Sequence, residues 1–180
     1  MIVDAYSRHS KIYGLGHKRS SVVIGALKKF QADHSFLRDL GYMDTEKIHV
    51  DSGGEFDSNT FAEHCIKEGI KLVLAAPKKQ CQNHLAERTW QTLSSIARSL
   101  LVHARLPDTF WYQALCYATS IFNVLPVRGL KSQEEIPATP HELFYGSKPF
   151  IQSFRCLVAL ALLSAGSQTN EVVENKLNVE

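Results

Sequence analysis

Hydrophobic and polar positions along this 180-residue chain follow two different periods in turn. Ile2-Val3 and Lys11-Ile12-Tyr13-Gly14-Leu15 are short apolar runs separated by the polar segment Tyr6-Ser7-Arg8-His9-Ser10, a pattern that predicts two strands joined by a hairpin turn. Val23, Ala26, Leu27, Phe30, His34 and Leu37 then recur at the three- and four-residue spacing of an amphipathic helix, with Ser20 or Ser21 as its cap and Gly41 as its left-handed stop. Lys47 to Val50 predict a short strand that delivers Asp51. Ser58 caps a second helix bearing Phe61, Ala62, Cys65 and Ile66, closed by Gly69, and Ile70 to Ala75 predict the next strand. From Leu85 to Ala104, Ala86, Leu93, Ile96, Ala97, Leu100 and Ala104 fall on one side of a long helix, while Glu87, Gln91, Ser94 and Arg98 share the opposite side. Pro107 opens a further helix through Phe110, Trp111, Ala114, Leu115, Ala118 and Phe122, ended by Pro126. Strands interleaved with helices in this order predict an α/β fold.

This pattern singles out two acids. Asp51 ends a short apolar strand and begins Asp51-Ser52-Gly53-Gly54-Glu55-Phe56; Glu87 sits near the start of the long helix, in Gln82-Asn83-His84-Leu85-Ala86-Glu87-Arg88, with 35 residues between them. Carboxylates that hold Mg²⁺ or Mn²⁺ beside a phosphodiester need rigid supports and an open site with room for water and phosphate oxygens, and a strand end plus a helix meets that need. The spacing alone would be met by chance among 18 acidic residues, so the flanking residues carry the weight.

Those residues fall in blocks: Asp4-x-Tyr6-Ser7-Arg8, Asp51-x-Gly53-Gly54-Glu55-Phe56, Phe61-x-x-x-Cys65-x-x-x-Gly69-Ile70, Gln82-Asn83-x-x-Ala86-Glu87-Arg88, Thr92-Leu93, Ala97-Arg98, Leu106-Pro107-x-x-Phe110-Trp111-x-x-Ala114 and Asn123-x-Leu125-Pro126, with Thr139-Pro140-x-Glu142-Leu143-x-Tyr145-Gly146-x-Lys148-Pro149 beyond them. In order and spacing they resemble the integrase catalytic core of copia-type long-terminal-repeat retrotransposons, in the retroviral-integrase and RNase H-like superfamily. The resemblance implies an RNase H-like mixed sheet flanked by helices, and a polynucleotidyl transferase with Mg²⁺ or Mn²⁺ as cofactor. It makes Asp51 and Glu87 the second and third of three metal-binding, catalytic carboxylates. It makes Lys78, Lys79 and Arg88 phosphate contacts, with Gln91 one turn past Glu87 on the face that meets DNA. The implied partners are retroelement ends and target DNA, with a homo-oligomer of the chain itself.

Asp4 belongs, in this resemblance, to the connection between the second and third strands, where a turn aspartate bonds its own backbone. The first strand and its metal ligand are therefore expected to be missing, and the chain to be inactive alone. Two rival readings stand beside the integrase fragment: a non-catalytic nucleic-acid-binding or oligomerising module, and a decayed transposon reading frame. Departures from the family pattern include Ser52 after Asp51, His84 where a Gly follows Asn, and Gln91 in place of a basic residue. Trp90 is expected in the core.

Composition adds bounds. The chain is 44% hydrophobic with a formal charge of +2, enough for a core and too balanced to argue for nucleic acid by itself. Between Lys67 and Arg105, however, seven basic residues face two acids, a local bias that attracts a phosphate backbone. Cys65, Cys81, Cys116 and Cys156 show no zinc spacing and read as reduced, buried thiols. No signal peptide or apolar run of membrane length is present, so the expected location is intracellular, in the nucleus or a cytoplasmic particle. The expected organisation is a core over 1–126, an extension over 127–163 and a polar tail over 164–180.

Overall fold

The computed structural model describes residues 1–39, 41, 45–51, 56, 59–74, 84–130 and 138–151. Its elements are β1 (Ile2–Val3), β2 (Ser10–Lys11), α1 (Ser20–Asp33), α2 (Ser35–Asp39), β3 (Lys47–Val50), α3 (Asn59–Lys67), β4 (Lys71–Leu74), α4 (His84–Ala104), a 3₁₀ turn (Asp108–Phe110), α5 (Trp111–Val124) and α6 (Pro140–Tyr145). The alternation of strands and helices expected from the sequence is present. The chain divides into two compact units, one of residues 1–5 and 11–90, the other of residues 6–10 and 91–180.

In the first unit, β3 and β4 run parallel, with Lys47 opposite Lys71 and Val50 opposite Leu74. Parallel neighbours cannot be joined by a tight turn, and α3 supplies the crossover between them. Its C-terminus closes with paired bonds, Ile70 N–H to Cys65 C=O at 2.8 Å and Gly69 N–H to Ile66 C=O at 3.1 Å. Gly69 reaches φ 69°, a left-handed conformation in which a side chain clashes, so glycine is the residue that permits this stop. The core gathers Leu27 of α1, Phe61 and Cys65 of α3, and Ile70, with Ile2, Val23, Ile24, Ile48, Phe56 and Leu72 packed against them. Burying each large apolar side chain of this set is worth about 1.5–3 kcal/mol. Among the described residues β1 pairs with β2 and β3 with β4, giving two separate two-stranded sheets.

Three local expectations are corrected. The helix carrying Phe30 and Leu37 breaks at His34, whose ring Nδ1–H donates to the Phe30 carbonyl at 2.7 Å, the acceptor that a continuing helix offers to a backbone N–H; Leu37 lies in α2. Arg19, in an extended conformation and without a side-chain cap bond, precedes α1, not a capping serine. Ile66 is 78% exposed, because α3 buries only the Phe61 and Cys65 stripe. Ser58 and Ala75 lie outside the described residues.

In the second unit α5 buries Ala114, Leu115, Ala118, Thr119 and Asn123, the i, i+4 stripe of a helix with one wet face. α6 lies in the extension over 127–163, for which no helix was predicted. It is held by a reciprocal cap: Glu142 N–H donates to Thr139 Oγ1 at 3.1 Å, and Thr139 N–H to Glu142 Oε2 at 2.9 Å. Thr-Pro-x-Glu carries that signature in the sequence, with proline preset for the first turn.

Candidate active site

β3 ends in Val50, which is buried, and is followed by Asp51, which is exposed. Burial of Val50 and the ladder to β4 fix the strand, so Asp51 leaves it at a defined point. α4 begins at His84 and carries Glu87 in its first turn, where a carboxylate is favoured by the unpaired N–H groups and the helix dipole. The ring Nδ1 of His84 lies 3.7 Å from Glu87 Oε2, with the side chains 48% and 55% exposed. At that exposure the pair is screened by water and adds little stability. The buried stripe of α4 is Thr89, Leu93, Ala97 and Leu101, rotated slightly from the expected one. Glu87, Gln91 and Arg98 are exposed, as the periodicity implied, whereas Ser94, expected on the same side, is only partly exposed and its hydroxyl oxygen is buried.

Asp51 and the first turn of α4 share one cavity of about 660 Å³, lined among others by Asp4, Asp51, Leu85 and Ala86. Glu87, the next residue of the helix, is not among the residues that line this cavity. Arg88 and Gln91 are exposed on α4, while Lys78 and Lys79 lie outside the described residues. Trp90, expected in the core, is 43% exposed; it neighbours Thr89 in sequence and so points about 100° away from the buried stripe. Among the described residues no three His, Cys, Asp or Glu side chains gather as a metal site. The acidic residues that line the cavity are Asp4, Glu46 and Asp51; carboxylate oxygens are the right chemistry for Mg²⁺, with water and substrate phosphate oxygens completing the coordination. Cys65 is buried and Cys116 partly so, both as free thiols, and burial pushes the Cys65 thiol above its ordinary value.

The turn Tyr6–Ser10, polar in sequence, is largely buried in the structure, with Tyr6 alone exposed. Ser7, His9 and Ser10 are buried despite their polarity. Asn123 clamps this turn: its Oδ1 accepts from Ser10 N–H at 2.9 Å and its Nδ2 donates to Ser10 C=O at 2.9 Å. With the amide orientation so fixed, Nδ2 also donates to His9 Nε2 at 3.2 Å, which requires a bare Nε2 and a hydrogen on Nδ1. His9 stacks on Phe144 at 4.2 Å. A polar residue on the apolar stripe of α5 was the available signal.

No family model matches the chain. Over 124 residues it is 31% identical to the retrovirus-related Pol polyprotein from transposon TNT 1-94 of Nicotiana tabacum, covering 69% of this chain and 9% of that one. It is 26% identical over 149 residues to the corresponding polyprotein from transposon RE2 of Arabidopsis thaliana, covering 83% and 9%, and 25% identical over 155 residues to that from RE1, covering 86% and 10%. The chain thus spans about a tenth of these curated relatives. Among solved structures it is similar to a chain of the simian T-cell lymphotropic virus intasome in complex with PP2A regulatory subunit B56 gamma, with TM-score 0.62 and 22% identity over 85% of this chain and 50% of that one. A second similarity is to the HTLV-2 integrase catalytic core domain in complex with magnesium, trimeric form, with TM-score 0.56 and 22% identity over 79% and 80%.

Proposed function

From the premise that this chain is a homologue of copia-type retrotransposon Pol polyproteins and carries the fold of a retroviral integrase catalytic core, we propose that it is a fragment of a metal-dependent polynucleotidyl transferase for DNA integration. The observation that carries this reading is the cavity lined by Asp51 together with Leu85 and Ala86 of the α4 first turn, the turn that also bears Glu87. Asp51 and Glu87 would hold Mg²⁺ or Mn²⁺, which when bound stabilises the attacking and leaving oxygens of an in-line phosphoryl transfer. Arg88, exposed one residue past Glu87, contributes a positive charge for a phosphate, and Gln91 a neutral hydrogen-bond donor one turn further along. Lys78 and Lys79 extend this basic strip in sequence. The partners are retroelement ends and target DNA, with further copies of the chain, in the nucleus or a cytoplasmic particle.

On the reading that Asp4, which lines the same cavity, is a turn residue and not a metal ligand, the isolated chain is expected to bind divalent metal weakly and to join DNA very slowly or not at all. A strand-transfer assay with purified protein, donor ends and Mn²⁺ tests this. Robust joining abolished by Asp4→Asn would overturn the assignment of Asp4 to a turn and the inactivity together. A second reading is a non-catalytic nucleic-acid-binding or oligomerising module. Salt-dependent DNA binding that survives Asp51→Asn and Glu87→Gln, with no nicking under any metal, would select it.

A further inference from the structure

The second unit holds a cavity of its own, of about 610 Å³, where α4 ends and α5 begins. That volume is within the range of small-molecule pockets. Arg98, Leu101 and Arg105 line it from α4 and its stop, at the i, i+3, i+7 spacing that keeps residues on one side of a helix. Leu101 is buried and, with Leu106, gives the cavity an apolar floor, while Arg98 and Arg105 are exposed. Half-buried Trp111 and exposed Asp108 complete the lining from the segment that follows. None of these side chains has a part in the catalytic reading, although Arg98 and Trp111 fall in blocks that the sequence singled out.

Arg105 holds its place at a cost in backbone conformation. α4 closes with the same paired bonds as α3: Leu106 N–H donates to Leu101 C=O at 3.1 Å, and Arg105 N–H to Val102 C=O at 3.2 Å. The left-handed residue at the stop is Gly69 in α3, Gly146 in α6 and Arg105, at φ 52°, in α4. A side chain is disfavoured in this region, where glycine is the usual residue. A positive charge is favoured at a helix C-terminus, but an arginine within the last turn supplies it without the strain. Among the described residues neither Arg98 nor Arg105 has an ion-pair partner, and Asp108, in the same lining, pairs with neither. The fold therefore keeps at this cavity a cation that its own carboxylates do not use.

We infer that this cavity binds a nucleoside phosphate, free or as the unpaired end of a strand, with its phosphate between Arg98 and Arg105 and its base against Trp111. The two arginines stand about 10 Å apart along the helix, a span that their long side chains close from either side of one phosphate. Each offers the planar fork of donors that suits phosphate oxygens. Trp111 gives a stacking face to the base, and the apolar floor takes the sugar carbons. Asp108 accepts a hydrogen bond from a base amine or a sugar hydroxyl and repels a ligand that is anionic throughout, which sets the site against bare phosphate and acidic peptides. Binding uses neither metal nor Asp51 and Glu87, so it succeeds or fails apart from the catalytic reading above.

The test is tryptophan fluorescence of the full chain carrying Trp90→Phe, which leaves Trp111 as the single reporter of the two tryptophans, titrated with deoxyadenosine monophosphate. Saturable quenching is expected, with half-saturation at or below about 1 mM, and deoxyadenosine or inorganic phosphate alone should bind about tenfold more weakly or worse. Arg105→Gly is the decisive variant, because glycine relieves the left-handed backbone. Its binding is expected to weaken by about tenfold or more while its urea unfolding midpoint holds or rises. Arg98→Gln, on the exposed side of α4, should weaken binding likewise. A short phosphorylated oligodeoxyadenylate separates the sources: binding tighter than that of the mononucleotide assigns the site to a strand end, and equal or weaker binding assigns it to a free nucleotide. Equal binding of inorganic phosphate or of a capped acidic peptide overturns the proposal. So does a lack of saturation by about 10 mM nucleotide, or binding that neither arginine substitution changes.

Discussion

Asn123 illustrates how much a single polar side chain can fix. It replaces the hydrogen bonds that a neighbouring strand would give Ser10, and Ser10 is fully buried. Asn123→Ala leaves a buried N–H and a buried carbonyl without those partners, at about 1–3 kcal/mol each. The expected loss is about 3 kcal/mol in urea unfolding, whereas Asn123→Asp, which keeps one acceptor and loses the donor, is expected to recover part of it. The same contacts require the Nδ1–H tautomer of His9, and nitrogen chemical shifts reporting Nε2–H would contradict them. None of this was legible in the sequence, where Tyr6–Ser10 reads as a solvated turn, because burial of polar groups depends on a partner 113 residues away. By contrast Asp51 and Glu87 were legible as candidates, since a strand end and a helix start are local features.

At the scale of elements, what the periodicity could supply was the existence of helices and strands, and what it missed was their joints. α1 and α2 share one apolar stripe, so the break at His34 is invisible to a pattern that counts only hydrophobic positions. α6 was readable from Thr139, Pro140 and Glu142 through capping chemistry, although its six residues are too few for a periodic signal. Removing that cap with Thr139→Ala is expected to cost about 1 kcal/mol, measured by thermal or urea unfolding. Acid should weaken the same element. Burial holds His141 below its ordinary value, with the nearby Glu142 partly opposing the shift. A folded value below the unfolded one means that the unfolded chain takes the proton first. This contribution is therefore fully present above the unfolded value of about 6.5 and falls away as pH drops through it toward the folded value. A pH series of unfolding midpoints for the chain and for His141→Phe checks the sign: the acid-side decline should be smaller in the variant.

For the whole molecule, the order of blocks along the chain carried the lineage further than any residue or element did. Charge carried little, since +2 overall fits many kinds of protein. The catalytic reading rests on Asp51 and Glu87 serving one cation, and their surroundings bear on how tightly they do so: both are exposed, and Glu87 already meets His84 at 3.7 Å. The most direct measurement is paramagnetic broadening by Mn²⁺ in side-chain carboxylate NMR spectra of the full chain. A single weak ion is expected to broaden Asp51 and Glu87 together, and Asp51→Asn is expected to release Glu87 from broadening as well. Broadening of the two at separate metal concentrations, or of Glu87 unchanged by Asp51→Asn, would show that the carboxylates do not share a site.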